Sequence, residues 1–161
     1  MSTAMRMLDA PQVRGLAHRL LAVGPLLYQV PPDRLAAELG WPLLPRKIGS
    51  LRFADPGLPV GTGQATLGVA DNGAVRTVAV PICDPLPDEE TDDDWDFHQD
   101  AFAFAGRALT EELGPVERTI PGDQPVMEWT RGETALQLSR GRNTVNLHLF
   151  AARDVGQDDD V

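Results

Sequence analysis

The residues most able to do chemistry lie together between 84 and 100, in DPLPDEETDDDWDFHQD, where nine of seventeen positions are Asp or Glu and none is Lys or Arg. Such a run could hold a divalent cation, work with His98 in proton transfer, meet a basic partner, or charge the entrance of a helix. The cation reading is testable on spacing alone. Asp92, Asp94 and Asp96 reproduce the D-x-D-x-D start of a calcium loop. Such a loop also needs glycine at its sixth position, for the sharp turn, and a bidentate glutamate at its twelfth. Those positions are Phe97 and Ala103, so no intact calcium loop is encoded.

Proton-transfer and nucleophilic chemistry find little local support. His18, His98 and His148 are widely separated, and none stands in a motif that supplies a nucleophile, an orienting acid or a second ligand. A site assembled from distant residues, with His98, His148 and Asp100 as members, is the enzymatic alternative. Cys83 is the only cysteine. It precludes an intrachain disulfide and a cysteine metal cluster, and the neighbouring Asp84 disfavours a thiolate. GTGQATLG at 61–68 matches neither glycine-rich phosphate-binding pattern and precedes strand-like sequence, so its glycines read as turn residues. The expectation is a non-enzyme without cofactor or metal.

The helix-entrance reading accounts for part of the acidic run. Thr91, Asp92, Asp93 and Asp94 precede a helical pattern beginning near Trp95, where a capping oxygen and negative charge satisfy free amides and the positive dipole end. One or two carboxylates suffice for that. The surplus repels itself, and Pro85 and Pro87 favour an extended loop. An aromatic ringed by charge is a common composition for a contact hot spot. The candidate partner-binding residues are therefore Asp88, Glu89, Glu90, Asp92, Asp93 and Trp95, meeting a basic protein surface; Phe97 is expected in the core.

The elements that must position these residues follow from patterning. The chain has 161 residues and a formal charge of -10, enough length for one core and the wrong field for nucleic acid. No run of about 18 apolar residues could span a bilayer, and arginine and histidine interrupt the N-terminal apolar stretch, so a cytoplasmic protein without membrane contact is expected. With 15 Gly and 14 Pro, long helices are not expected.

Val13, Leu16, Ala17, Leu20 and Leu21 share one helical face, entered at Asp9 and Pro11 and closed at Gly24-Pro25. PPDRLAAELG opens a short second helix at Pro31-Pro32 and caps it at Gly40. Strands are expected around 47–53, 64–70 and 74–82, with Asn72-Gly73 turning a hairpin through two positive φ angles. A helix with Phe97, Ala101, Phe104, Ala105, Ala108 and Leu109 inward stops at Gly114-Pro115. Period-two alternation through Met127 and Trp129, Leu136 and Leu138, and Val145, Leu147 and Leu149 completes a meander with one buried face.

The fold class is thus α+β, an antiparallel sheet of about five to seven strands with two main helices on one face. It forms a single domain over 1–152, followed by an acidic tail at 153–161.

Leu39-Gly40-Trp41, then DNGAVRTVAVPICD, then a helix ending ELGP, then PGDQPVMEWTRGETALQLSRGRNTVNLHL resembles a family of small actinobacterial domains of unknown function, themselves similar to immunity-type partners of secreted toxins. The resemblance implies the architecture and a partner-binding role, and carries over no site residues. The element order also looks like that of small acidic secretion chaperones, which bind partner segments on a sheet face. The functional expectation is a non-catalytic acidic binding module, immunity-type toward a basic partner, with partner escort as the alternative. The sequence leaves the oligomeric state open.

Overall fold

The computed structural model describes residues 5–60 and 64–154. Helix α1 (Ala10–Val23) starts at Asp9, whose carboxylate accepts from the Gln12 amide at 2.8 Å while the Gln12 side chain accepts from the Asp9 amide at 2.9 Å. This reciprocal cap satisfies two otherwise free donors. Val13, Leu16, Ala17 and Leu20 are buried along one face, as the spacing predicts; the fifth buried position is Val23, and Leu21 is only half-buried. Helix α2 (Pro32–Leu39) ends on Gly40 at φ 73°, the left-handed cap that a Cβ would strain.

Eight strands form one antiparallel sheet: β1 (Leu43–Ile48), β2 (Leu51–Ala54), β3 (Ala65–Val69), β4 (Val75–Pro81), β5 (Arg118–Ile120), β6 (Val126–Arg131), β7 (Thr134–Arg140) and β8 (Val145–Ala151). Their spatial order is β1-β2-β3-β4-β8-β7-β6-β5. Two four-stranded meanders therefore meet at the central β4–β8 pair. Helix α3 (Asp92–Leu113) connects them.

Eight strands exceed the expected five to seven, and three helices the expected two, for identifiable reasons. The segment read as one strand near 47–53 folds back at Gly49-Ser50, giving β1 and β2. Pro45 lies inside β1; an edge strand tolerates proline because its outward amide has no partner to lose. At the opposite edge β5 has three residues, too few to show alternation. Composition also misled on helix length. The run from 88 to 113 contains no proline, and α3 extends for 22 residues.

The Asn72-Gly73 hairpin forms, with a different turn from that expected. Only Gly73 has positive φ, at 85°, and the Gly73 amide donates to the Ala70 carbonyl at 2.9 Å. Asp71 to Gly73 thus make a three-residue loop with a left-handed closing glycine, and the register shifts beside it. Gly68 is no turn residue. It pairs with Thr77 inside the sheet, and a Cβ there would stand 2.3 Å from the Thr77 Oγ1. Gly61 and Gly63 lie outside the described residues.

Helices α1 and α3 touch each other and pack on β7 and β8. Val78, Val80, Leu136, Leu138, Leu147 and Leu149 are buried on that face. The other face carries a continuous row in register across seven strands, Phe53, Thr66, Ala79, His148, Gln137, Glu128 and Arg118. Arg153 and Asp154, assigned above to the tail, lie in a 3-10 turn at Ala152–Asp154, where the Asp154 carboxylate accepts from the Tyr28 hydroxyl at 2.7 Å. Residues 155–161 of the expected tail lie outside the described residues.

Where α1 ends, Gly24 abuts the start of β7: a Cβ would stand 2.4 Å from the Oγ1 of buried Thr134. Because Thr134 is short, branched and enclosed, it cannot swing away. Gly24→Ala is expected to cost about 1 to 3 kcal/mol by overpacking, read from the urea midpoint.

Candidate functional site

The acidic run is built from three parts with different surroundings. Its first part is anchored. The Asp84 carboxylate takes a two-pronged contact from the Arg6 guanidinium, at 3.1 and 3.2 Å. Its amide donates to the Arg6 carbonyl at 2.8 Å, and the Leu86 amide donates to the Asn143 carbonyl at 2.8 Å. Asp84 to Leu86 is therefore fixed to the body rather than belonging to a free loop.

The last part is helical. Helix α3 begins at Asp92, three residues before the position expected from the pattern, with Thr91 as its cap. The Thr91 hydroxyl accepts from the Asp94 amide at 3.3 Å and the Asp94 carboxylate accepts from the Thr91 amide at 2.9 Å. One acidic residue of the first turn thus has a defined local role. Asp92 and Asp93 contribute only the favourable field at the helix start.

Between and beside these parts stand the predicted contact residues. Asp88, Glu89, Glu90, Asp92 and Asp93 are all exposed. None of the five has an ion-pair partner among the described residues. By contrast Asp84 pairs with Arg6, Glu111 with Arg14, Glu112 with His18, and Glu128 with Arg118. The strip 88–93 thus sets five exposed carboxylates without an ion-pair partner within six consecutive positions of the described residues. Among the described residues no three His, Cys, Asp or Glu side chains converge as metal ligands.

Trp95 is half-buried at the end of this strip, and the Arg140 guanidinium lies 5.0 Å from its ring centroid. Arg140 closes β7 on the helix-facing side, in phase with Leu136 and Leu138. Directly inside is His98, fully buried, and Phe97 is only partly so; the buried stripe of α3 runs through His98, Ala101, Ala105, Ala108 and Leu109. The sequence reading placed Phe97 innermost and missed both His98 and Arg140 as interior groups. The signals were present in the helical spacing 98-101-105 and in the strand alternation 136-138-140.

His98 Nε2 lies 2.8 Å from the Asp84 carbonyl oxygen. A carbonyl can only accept, so Nε2 carries the proton in the neutral ring and Nδ1 does not. Burial holds the imidazole below its ordinary value near 6.5, and the Arg140 charge acts in the same direction, partly opposed by the hydrogen bond to Asp84. The unfolded chain then takes up this proton at a higher pH than the folded one. The stability contribution is complete above about 6.5 and is lost as pH falls through the lower folded-state value. Urea midpoints measured from pH 7.5 downward should decline for the wild type, and His98→Gln, which keeps a donor for the Asp84 carbonyl, should flatten that decline.

The histidines do not meet. His98 faces the helix side of the sheet, His148 lies in the row on the opposite face, and His18 is exposed on α1 beside Glu112. Asp100 is exposed on α3. The distant-residue site considered from sequence is not assembled. Cys83 is fully buried, and burial pushes its thiol up to about 11, which keeps it protonated at neutral pH.

Among the described residues no helix is long and apolar enough to cross a membrane. No curated protein matches the chain significantly. Among solved structures, a DUF4309 family protein (YjgB) from Bacillus subtilis subsp. subtilis str. 168 is similar in fold, with a TM-score of 0.50 at 14% identity over 89% of this chain and 97% of that one. That likeness concerns architecture alone. The model of a family of unknown function, DUF6301, matches residues 32–151, from the start of α2 to the end of β8, and the chain belongs to that family.

Proposed function

We propose that this chain is a non-catalytic protein-binding module that docks a basic protein surface through the strip 88–93 and Trp95, in the manner of an immunity-type protein neutralising its target. The observation that carries this reading is the density of unpaired charge: Asp88, Glu89, Glu90, Asp92 and Asp93 stand exposed and without an ion-pair partner among the described residues within six positions, beside a half-buried tryptophan. Uncompensated charge at an interface rim steers association and selects partners of opposite sign.

The test is affinity capture with the wild type and with a variant carrying Asp88→Asn, Glu89→Gln, Glu90→Gln, Asp92→Asn and Asp93→Asn. A basic protein retained by the wild type and lost by the variant supports the reading. Equal capture by both removes the strip from it.

Partner escort is the second reading, favoured by the row across the face opposite α1 and α3. There, half-buried Thr66, Ala79, His148 and Gln137 offer a mixed polar and apolar surface suited to an extended segment. A partner whose capture survives neutralisation of the strip but fails on Ala79→Arg would move the assignment to that face.

A further inference from the structure

Beside the acidic strip lies a feature of opposite character. A cavity of about 430 Å3 opens between the start of α3, the loop before β6 and the β7–β8 turn, with Trp95, Gln99, Gln124, Arg140 and Arg142 in its wall. Arg140 is 7% exposed. A guanidinium taken this far from water ordinarily has a carboxylate or several carbonyls to receive its protons. Arg140 forms no ion pair or side-chain hydrogen bond among the described residues; its guanidinium lies over the Trp95 ring, and its buried Nε has no acceptor. The neighbouring buried His98 adds no negative charge, because its ring is neutral and its remaining unpartnered atom is Nδ1.

The geometry points to this cavity as a binding site for a carboxylate group. The fixed fork of a guanidinium matches a carboxylate through two parallel hydrogen bonds, with one face of the cation already stacked on Trp95. Gln99 and Gln124 supply neutral donors, and Arg142 a second cation, at the exposed mouth. Asp96 and Asp123 also stand at that mouth. Two carboxylates offset the two guanidinium groups, so the mouth is close to neutral overall, and it disfavours a phosphate that brings two charges more than a carboxylate that brings one.

The site is independent of the acidic strip: it would recognise an anion where the strip recognises cations, so either can fail without the other. The carboxylate could belong to a small metabolite or to a partner protein, as an acidic side chain or a chain terminus. The shared chemistry is the same, and the sources are separated by the probe.

Trp95 gives the readout, because Trp41 and Trp129 are buried and the Trp95 ring stacks on the binding cation. Its indole N–H resonance is followed while propionate, inorganic phosphate, and short peptides with a free C-terminal carboxylate, an internal glutamate or neither are titrated into the full chain. The expected result is a saturable shift with a carboxylate probe, weaker by about tenfold or more in Arg140→Gln and by severalfold in Gln99→Ala, with phosphate binding less well. Gln99 is exposed on α3, so its substitution keeps the fold if Arg140→Gln does not. Saturation by propionate alone identifies a small-molecule source, and tighter saturation by one peptide identifies a protein source. No saturable shift, an affinity unchanged in both variants, or a preference for phosphate overturns the assignment.

Discussion

Trp129→Ala is expected to remove about 3 to 5 kcal/mol of stability, a large share of what a domain of this size has. Trp129 is fully buried on β6, opposite Leu136 of β7, and its Nε1 donates to the Gly114 carbonyl at 3.0 Å. That carbonyl follows the last turn of α3, so one side chain both fills the core and ties the end of the connecting helix to the sheet. Truncation leaves a cavity and an orphaned carbonyl together. Trp129→Phe keeps most of the volume and loses only the hydrogen bond, for which about 1 to 2 kcal/mol is expected. Urea denaturation followed by far-ultraviolet circular dichroism separates the two variants. Equal losses would mean that the tie, rather than the volume, dominates.

Much of the frame that positions the strip was legible because it is written in local chemistry. Asp9, Gly40 and Gly114 each mark a helix boundary through a specific backbone need, and each stands where that need arises. The alternation of Leu136 and Leu138, and of Val145, Leu147 and Leu149, gave the buried face of two central strands directly. What stayed hidden were features decided by neighbours distant in sequence. A proline inside a strand makes sense only once β1 is known to be an edge, and β5 exists because β6 is there to pair with it. No local pattern encodes the meeting of β4 and β8 that joins the two meanders.

The candidate contact region was legible in composition but not in its divisions. Nine carboxylates in one run do not reveal that Asp84 is held by Arg6, a residue 78 positions away, or that Asp94 is committed to the cap of α3. Those two contacts subtract Asp84 and Asp94 from the surface available to a partner and leave seven, of which 88, 89, 90, 92 and 93 form the strip and Asp96 and Asp100 lie further along α3. His98 was weighed for proton transfer and as a member of a distant-residue site, yet its backbone position places it on the inner stripe of the helix. Arg140 escaped notice for the mirror reason, being a charged residue at the end of an apolar alternation. Both cases show that a polar side chain in phase with a buried face is the one to question first.

Neutralising the strip should have the largest effect on association. The five substitutions remove five of the chain's 24 acidic side chains without touching the Thr91–Asp94 cap or the Asp84–Arg6 pair, so the folded body should persist. Exposed charges within about 8 to 10 Å of a basic partner act through a field that salt screens, so their signature is an affinity that falls as ionic strength rises. Each charge on its own is worth little at such a rim, and the set acts by its sum.

The dissociation constant of the captured partner, measured by calorimetry at about 50 mM and about 300 mM salt for the wild type and the five-substitution variant, addresses the docking claim directly. Docking through the strip predicts a wild-type affinity that weakens by at least about tenfold across that range, and a variant that binds as weakly at low salt as the wild type does at high salt. Identical constants and identical salt dependence for the two proteins would contradict it.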